Sequence, residues 1–161
     1  MKRVILCLMA VAAAAVVFTS CKPNETNEGL LTIKKGWKLE SALSTPAYTN
    51  SAGITSPNLF ESWFADCEKK DVIYFKSGGA TEVKFGCEGN TKQTTGTWRF
   101  VQEDPSIVLN MRIHFFEEDG DAPIYSNVDV LELTKDVFKY NYVWQNTAGT
   151  VYTFTLTYKP A

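Results

Sequence analysis

Short runs of alternating hydrophobic and polar residues, separated by turn residues, occupy most of the chain beyond Leu30. Alternation with a period of two predicts strands that have one buried and one solvent-facing side. Eight such strands are predicted: Ile33–Leu43, Asp71–Lys76, Thr81–Cys87, Gly96–Gln102, Ile107–Glu117, Ile124–Leu133, Val137–Gln145 and Val151–Lys159. The connections between most of them are short and rich in Gly, Asn, Asp and Pro, so neighbouring strands run antiparallel. The pattern therefore predicts an all-β fold, an eight-stranded antiparallel up-and-down β-barrel.

The aromatic residues of the last two predicted strands indicate which face is buried. On each strand they share one face, and Lys, Asn, Gln or Thr take the other. The inward set on these strands is Phe138, Tyr140, Tyr142, Trp144, Tyr152, Phe154, Leu156 and Tyr158. The same parity turns inward Ile73, Phe75, Trp98, Phe100, Leu109, Met111, Ile113 and Phe115. At eight strands, a barrel interior holds packed side chains or one small ligand.

One segment, Ser56–Cys67, departs from the strand pattern. Ser56 is a plausible N-cap and Pro57 suits the first helical position. Apolar residues then recur at helical spacing: Leu59, Phe60, Trp63, Phe64 and Cys67. The segment is predicted to be one short helical insert, lying either over a barrel mouth or against the outside of the barrel.

The N-terminus has the layout of a secretory signal peptide. Lys2 and Arg3 precede an apolar run, Val4–Phe18, that is too short to span a membrane as a helix. Cys21 follows the small pair Thr19-Ser20, and this arrangement resembles the lipobox of bacterial lipoproteins. The resemblance implies that residues 1–20 are removed and that Cys21 is acylated, which anchors the protein to a membrane. An ordinary secreted protein is the alternative.

The residues after Cys21 are predicted to form a tether. Lys22–Gly29 contains no apolar residue, so it cannot bury enough surface to offset the entropy of ordering. The predicted organisation is a signal peptide (1–20), a flexible tether from the lipidated cysteine (21–30) and one barrel domain (31–161). The predicted location is the cell envelope, on either the periplasmic or the surface face of the outer membrane.

The two cysteines left in the mature domain are Cys67 and Cys87. An even pair in an oxidising compartment predicts a disulfide. A metal site is the competing interpretation, but the pair lacks further Cys or His at ligand spacing.

The charge balance argues against partners that require a basic surface. The whole sequence has 16 Lys and Arg against 18 Asp and Glu; without Lys2 and Arg3 the count is 14 against 18, a net charge of −4 with His neutral. No basic cluster is present, so neither nucleic acid nor a polybasic membrane contact is expected. The protein is expected to be a monomer.

An ordered set of short motifs runs through the domain. Gly36-Trp37 opens the first strand and Thr95-Gly96-Thr97-Trp98 opens the fourth; between them lie Cys67, Phe75 with the Ser77-Gly78-Gly79 turn, and Cys87. This order resembles that of bacterial lipocalin-like lipoproteins. The resemblance implies an eight-stranded calyx and the binding of a small hydrophobic molecule, without naming the ligand.

Two functions stay open at this level. If the barrel holds a ligand, the residues predicted to line the pocket are Trp37, Phe75, Trp98, Phe115, Tyr140, Tyr142 and Phe154. The same rings could instead fill the barrel. The protein would then be an interaction module, binding a protein or glycan through its loops or the aromatic side chains of the 56–67 segment.

No catalytic constellation is evident, and neither enzymatic activity nor a cofactor is expected. His114 is the single histidine and lies in a predicted strand without a nucleophile pattern around it. The acidic run Glu117–Asp121 lacks the ligand spacing of an EF-hand and is interpreted as a solvated turn.

Overall fold

The computed structural model describes residues 26–50, 53–89, 91–112 and 125–161. Within these ranges lie two short α-helices, α1 (Asn27–Leu31) and α2 (Leu59–Ser62), and a 3-10 helix, Glu68–Lys70. The strands there are β1 (Trp37–Thr49), β2 (Thr55–Asn58), β3 (Val72–Phe75), β4 (Ala80–Lys84), β5 (Lys92–Gln102), β6 (Ile107–Arg112), β7 (Tyr125–Leu133), β8 (Phe138–Gln145) and β9 (Val151–Pro160). No helix in these ranges is long and apolar enough to span a membrane.

The strands form one closed antiparallel barrel. From β3 to β9 each strand pairs with its successor in the sequence, and β1 pairs with both β9 and β3. The β1–β9 pairing extends from Trp37↔Pro160 to Thr45↔Thr153, whereas β1 and β3 share only the pairs at Trp37 and Lys38. β2 pairs with the far part of β1, on the edge that β3 occupies lower down. The barrel therefore has eight strand positions, and the predicted fold class is confirmed.

Each of the eight predicted strands overlaps a barrel strand, but the bounds differ. The third ends at Lys84 instead of Cys87, the fourth begins at Lys92 instead of Gly96, and the first is shifted most. It was predicted at Ile33–Leu43 and is observed at Trp37–Thr49. The residues before Trp37 form a turn, in which Gly36 has φ +75° and donates its N–H to the carbonyl oxygen of Ile33 at 3.1 Å. The strand continues beyond Leu43 because Tyr48 and Thr49 pair with β2.

The prediction of one helix over Ser56–Cys67 is wrong in extent. Thr55–Asn58 is strand β2, and the helix that follows is the single turn of α2. Asn58, rather than Ser56, is the N-cap, and its side-chain oxygen accepts the N–H of Glu61 at 3.3 Å. Ser56 instead pairs with Tyr48 of β1, and its hydroxyl bonds to the backbone of Asn58. Strand pairing with β1 therefore overrides the local helical pattern.

Helix α1 overlaps the end of the stretch predicted to be a tether, residues 21–30, and extends one residue beyond it. Thr26 caps it, because its hydroxyl accepts the N–H of Gly29 at 3.1 Å, and Leu31 is fully buried in the core. The indole N–H of Trp37 donates to the carbonyl oxygen of Leu31 at 2.7 Å. Asn27 reaches the turn after β5, where it donates to Glu103 at 3.1 Å. We call the end of the barrel that α1 covers the closed end.

Aromatic residues fill the barrel from the closed end upward, as the alternation predicts. The ring centroid of Phe138 lies 5.7 Å from those of both Trp37 and Phe75. Tyr140 and Tyr158 stack, with their hydroxyl oxygens 3.4 Å apart. Burial raises the pKa of both hydroxyls well above the usual range. Ile113 and Phe115, which were predicted to point inward, lie outside the described residues.

Candidate functional site

The residues predicted to line a pocket lie in the filled part of the barrel. Of the seven, Phe115 is outside the described residues. The others are at most 6% exposed and belong to one continuous core: Trp37, Phe75, Trp98, Tyr140, Tyr142 and Phe154. None of these six borders the cavity described next. For this part of the interior, the structure matches the alternative in which the rings fill the barrel.

A cavity of about 500 Å³ opens at the other end of the barrel, where β3 and β5 begin and β4 and β6 end. We call this end the mouth. Four buried side chains from the barrel interior form the floor of the cavity: Leu39, Ile73, Val83 and Tyr158. Ligand pockets usually enclose about 300–1,000 Å³, so the volume suits one small molecule.

Three aromatic side chains form the apolar wall of this cavity. Trp63 and Phe64 follow α2, and Phe85 follows β4. Trp63 is held by an edge-on contact with Tyr48, whose ring centroid is 4.8 Å away. All three are partly buried against the core. The segment after β2 therefore lies over the mouth, one of the two placements predicted, and its aromatic residues are not an exposed patch.

The predicted disulfide between Cys67 and Cys87 is confirmed, with their Cα atoms 4.8 Å apart. It joins the start of the 3-10 helix to the turn after β4, at the rim of the cavity. Each cysteine is followed by a glutamate, Glu68 and Glu88, and both line the cavity. The disulfide therefore keeps two acidic residues on one side of the mouth.

Three carboxylates are held in place at this rim by neutral donors. Asp71 accepts the N–H of Gly86 at 2.7 Å, and Glu68 accepts the N–H of Ala65 at 2.7 Å. Glu88 accepts the side-chain amide of Gln93 at 2.9 Å. Within the described part of the chain, none of the three carboxylates forms an ion pair. Each carboxylate is therefore oriented by a neutral donor, and no Lys or Arg of the described ranges forms an ion pair with it.

Gly86 allows the turn after β4 to lie directly against the 3-10 helix segment at Cys67 and Lys70. A Cβ at this position would lie 2.1 Å from the carbonyl oxygen of Cys67 and 2.8 Å from the Cβ of Lys70. Only a glycine allows such a close approach. It also places the Gly86 N–H against Asp71, which anchors that carboxylate in the rim.

The surroundings of Asp71 in the rim shift the pKa of its carboxyl. Burial raises the pKa of its carboxyl above the usual value, and the nearby charges of Glu68 and Glu88 raise it further. The hydrogen bond from Gly86 opposes this rise by favouring the ionised form. Arg112 also lines the cavity, from β6, and donates to the backbone carbonyl oxygen of Thr95. It stands three strands further round the barrel than Asp71.

Sequence reasoning did not select Glu68, Asp71, Phe85, Glu88 or Arg112 as site residues. One signal was present, because the dipeptide Cys-Glu occurs at both ends of the predicted disulfide. Pairing the cysteines brings the two glutamates to the same cavity rim. In the described residues, no group of three or more His, Cys, Asp or Glu side chains is placed to hold a metal ion.

Fold and cavity together define a class: a closed antiparallel barrel of eight strands, with a filled core and a ligand-sized cavity at its mouth. No protein-family model matches the chain, and no curated protein matches its sequence. The resemblance to bacterial lipocalin-like lipoproteins accordingly stays a prediction. Cys21, His114 and Glu117–Asp121 lie outside the described residues.

Proposed function

We propose that the protein is a lipocalin-like lipoprotein of the bacterial cell envelope, anchored through Cys21, that binds a small molecule in the mouth cavity. The observation that carries the proposal is the cavity itself. It has a volume of about 500 Å³, a buried floor and an aromatic wall, and it lies at an end of the barrel that α1 does not cover. The filled core below it leaves the mouth as the place where a ligand would bind.

The position of α1 supports an orientation for the anchored protein. Thr26, which caps α1 at the closed end, is five residues after Cys21 in the sequence. Five residues span at most about 18 Å when fully extended. An acyl chain on Cys21 would therefore keep the closed end near the membrane and leave the mouth facing the aqueous phase.

Replacing Cys21 with serine is expected to move the protein from the membrane fraction to the soluble fraction. Serine cannot take the thioether-linked lipid, and the described part of the chain has no helix that could span a membrane. Fractionation of cells that express either form, followed by intact-mass measurement, tests this. The unchanged protein should carry the added mass of acyl chains. Retention of the Cys21→Ser protein in the membrane fraction would contradict lipid anchoring.

Binding in the mouth cavity is expected to depend on Trp63 and not on Trp144. Both indoles are partly buried and contact the ring of Tyr48, with centroid distances of 4.8 and 5.9 Å, but only Trp63 lines the cavity. The measurement is titration of the mature protein with the neutral fluorescent probe N-phenyl-1-naphthylamine. Trp63→Leu is expected to weaken binding about tenfold, equivalent to about 1.4 kcal/mol, and Trp144→Leu to leave it nearly unchanged.

The comparison of these two variants separates a cavity effect from a general loss of stability. Trp63→Phe, which keeps an aromatic ring, gives an intermediate check if Trp63→Leu folds poorly. Equal weakening by the changes at Trp63 and Trp144 would contradict a cavity site. An absence of saturable binding to the unchanged protein would contradict the proposed function itself.

A further inference from the structure

The mouth cavity combines an aromatic wall with an excess of negative charge. Glu68, Asp71 and Glu88 line one side, and Arg112 is the one positively charged residue among the described lining residues. A concave site of low polarisability concentrates the field of such charges. The cavity therefore has a potential that disfavours anions near Asp71 and attracts cations.

Each of the three carboxylates already accepts a hydrogen bond, half-buried at Asp71 and exposed at Glu68 and Glu88, so a cation would have less ordering to do. Their hydrogen-bond donors are two backbone N–H groups and one side-chain amide, all neutral. Neutral donors orient a carboxylate without removing its charge. A cationic ligand would thus meet preorganised acceptors, which reduces the entropic cost of binding.

The aromatic wall adds a second attraction for a cation with an apolar part. Trp63, Phe64 and Phe85 line the same cavity as the carboxylates. A positive group is attracted to an aromatic face within about 6 Å of the ring centroid. The apolar portion of the same ligand would gain by leaving water against these rings.

We propose that the mouth cavity binds a small organic cation, with its positively charged nitrogen beside Asp71 and its apolar part against Trp63, Phe64 and Phe85. This inference rests on the proposed function, since it names the chemical class of the ligand for the same cavity. The charge of the lining decides between the ligand classes, because a purely hydrophobic ligand would make no use of the three carboxylates at the rim.

The electrostatics of Asp71 agree with this assignment. Its pKa is raised by burial and by the charges of Glu68 and Glu88, so its ionised form is disfavoured in the free protein. A bound cation would offset both effects. Asparagine at this position keeps an oxygen that can accept the Gly86 N–H, but it lacks the charge. Because the pKa of Asp71 is raised on folding, Asp71→Asn is not expected to destabilise the protein at neutral pH.

The test uses three probes that share a phenyl ring and differ in charge: 2-phenylethylammonium, 2-phenylethanol and 3-phenylpropanoate. Each is titrated into the mature protein at pH 7 and low ionic strength, with calorimetry as the readout. The ammonium is expected to bind about tenfold more tightly than the alcohol, and the carboxylate most weakly, because the local charge pairs sit in a partly desolvated site.

Two variants with the same change in net charge locate the effect. Asp71→Asn is expected to reduce the preference for the ammonium over the alcohol about fivefold or more, because it removes the charge nearest the proposed nitrogen site. Asp129→Asn, on the exposed face of β7 and away from the cavity, should leave the preference within about twofold, because solvent screens distant charges. Glu88→Gln is a second cavity variant, expected to give a partial loss.

The outcomes separate this inference from the proposed function. Equal affinities for the ammonium and the alcohol would overturn the cation assignment while leaving a ligand-binding cavity intact. Tightest binding of 3-phenylpropanoate would also overturn it and would indicate that Arg112 decides the ligand class. If neither these probes nor the neutral naphthylamine bound, the proposed function would fail together with the inference.

Discussion

Replacing Trp37 with alanine is expected to lower the free energy of unfolding by about 3–5 kcal/mol. The side chain is fully buried, and its ring contacts Phe138 with a centroid distance of 5.7 Å. Its indole N–H is also the donor to the carbonyl oxygen of Leu31, at 2.7 Å. The change would therefore leave a void in the barrel and remove the hydrogen bond that joins α1 to β1. Urea unfolding of the mature protein, followed by far-ultraviolet circular dichroism, gives the free energy.

Trp37→Phe separates the two contributions. Phenylalanine keeps most of the ring volume but cannot donate to Leu31, so the loss should be smaller, about 1–3 kcal/mol for a buried acceptor left without its donor. Trp144→Ala serves as the comparison at the mouth, because Trp144 is only partly buried. The role of Trp37 at the closed end would be contradicted if Trp37→Ala changed the free energy of unfolding by less than about 1 kcal/mol, which is a typical effect of an ordinary substitution.

The barrel could be predicted from β8 and β9 because their side chains obey a simple rule. Phe138, Tyr140 and Tyr142 are buried while the residues between them are not, and Phe154, Leu156 and Tyr158 repeat the pattern. A period of two identifies a half-buried strand without knowledge of its partners. The same period does not predict that β1 and β9 pair with each other and close the barrel. This closure follows from the register between strands at opposite ends of the domain.

Strand β2 and the far part of β1 could not be predicted from local pattern. Pro46 argues against a continuing strand, since proline has no N–H to donate to a ladder. Ser56 and Pro57 together look like the start of a helix. In the structure one pairing overrides both local signals, because Tyr48 and Thr49 of β1 pair with Ser56 and Thr55 of β2. This pairing depends on tertiary placement, so neither segment reveals it alone.

The site was harder to predict than the fold. Alternation along a strand indicates which side chains point into the barrel, but it does not indicate where the interior is left unfilled. Trp98 and Tyr142 point inward as predicted, yet they are surrounded by other rings and border no cavity. The space lies at the mouth, where β3 begins and β4 ends, and these two strands are only four and five residues long. Trp63 reaches that space from outside the regular strand pattern. Such a cavity depends on strand lengths and a covering segment, neither of which alternation encodes.

Removing the disulfide by the double change Cys67→Ser and Cys87→Ser is expected to lower the free energy of unfolding by about 3 kcal/mol, from the chain entropy of a closed loop of this length. The two cysteines are 20 residues apart in the sequence. The bridge limits the unfolded chain, and it also joins the 3-10 helix to the turn after β4. Urea unfolding at neutral pH measures the loss, and the unchanged protein under reducing conditions is the matched control.

The same double change is expected to weaken cation binding more than it weakens binding of a neutral probe. Without the bridge, Glu68 and Glu88 are no longer held on one side of the mouth, whereas the floor made by Leu39 and Val83 belongs to the barrel and should persist. Titration with 2-phenylethylammonium and 2-phenylethanol, in urea-free buffer where the variant is folded, distinguishes the two effects. If stability fell while the preference for the ammonium stayed unchanged, the disulfide would stabilise the fold without organising the charged rim. If both fell, the covalent link would be what keeps repelling carboxylates close enough to attract a cation.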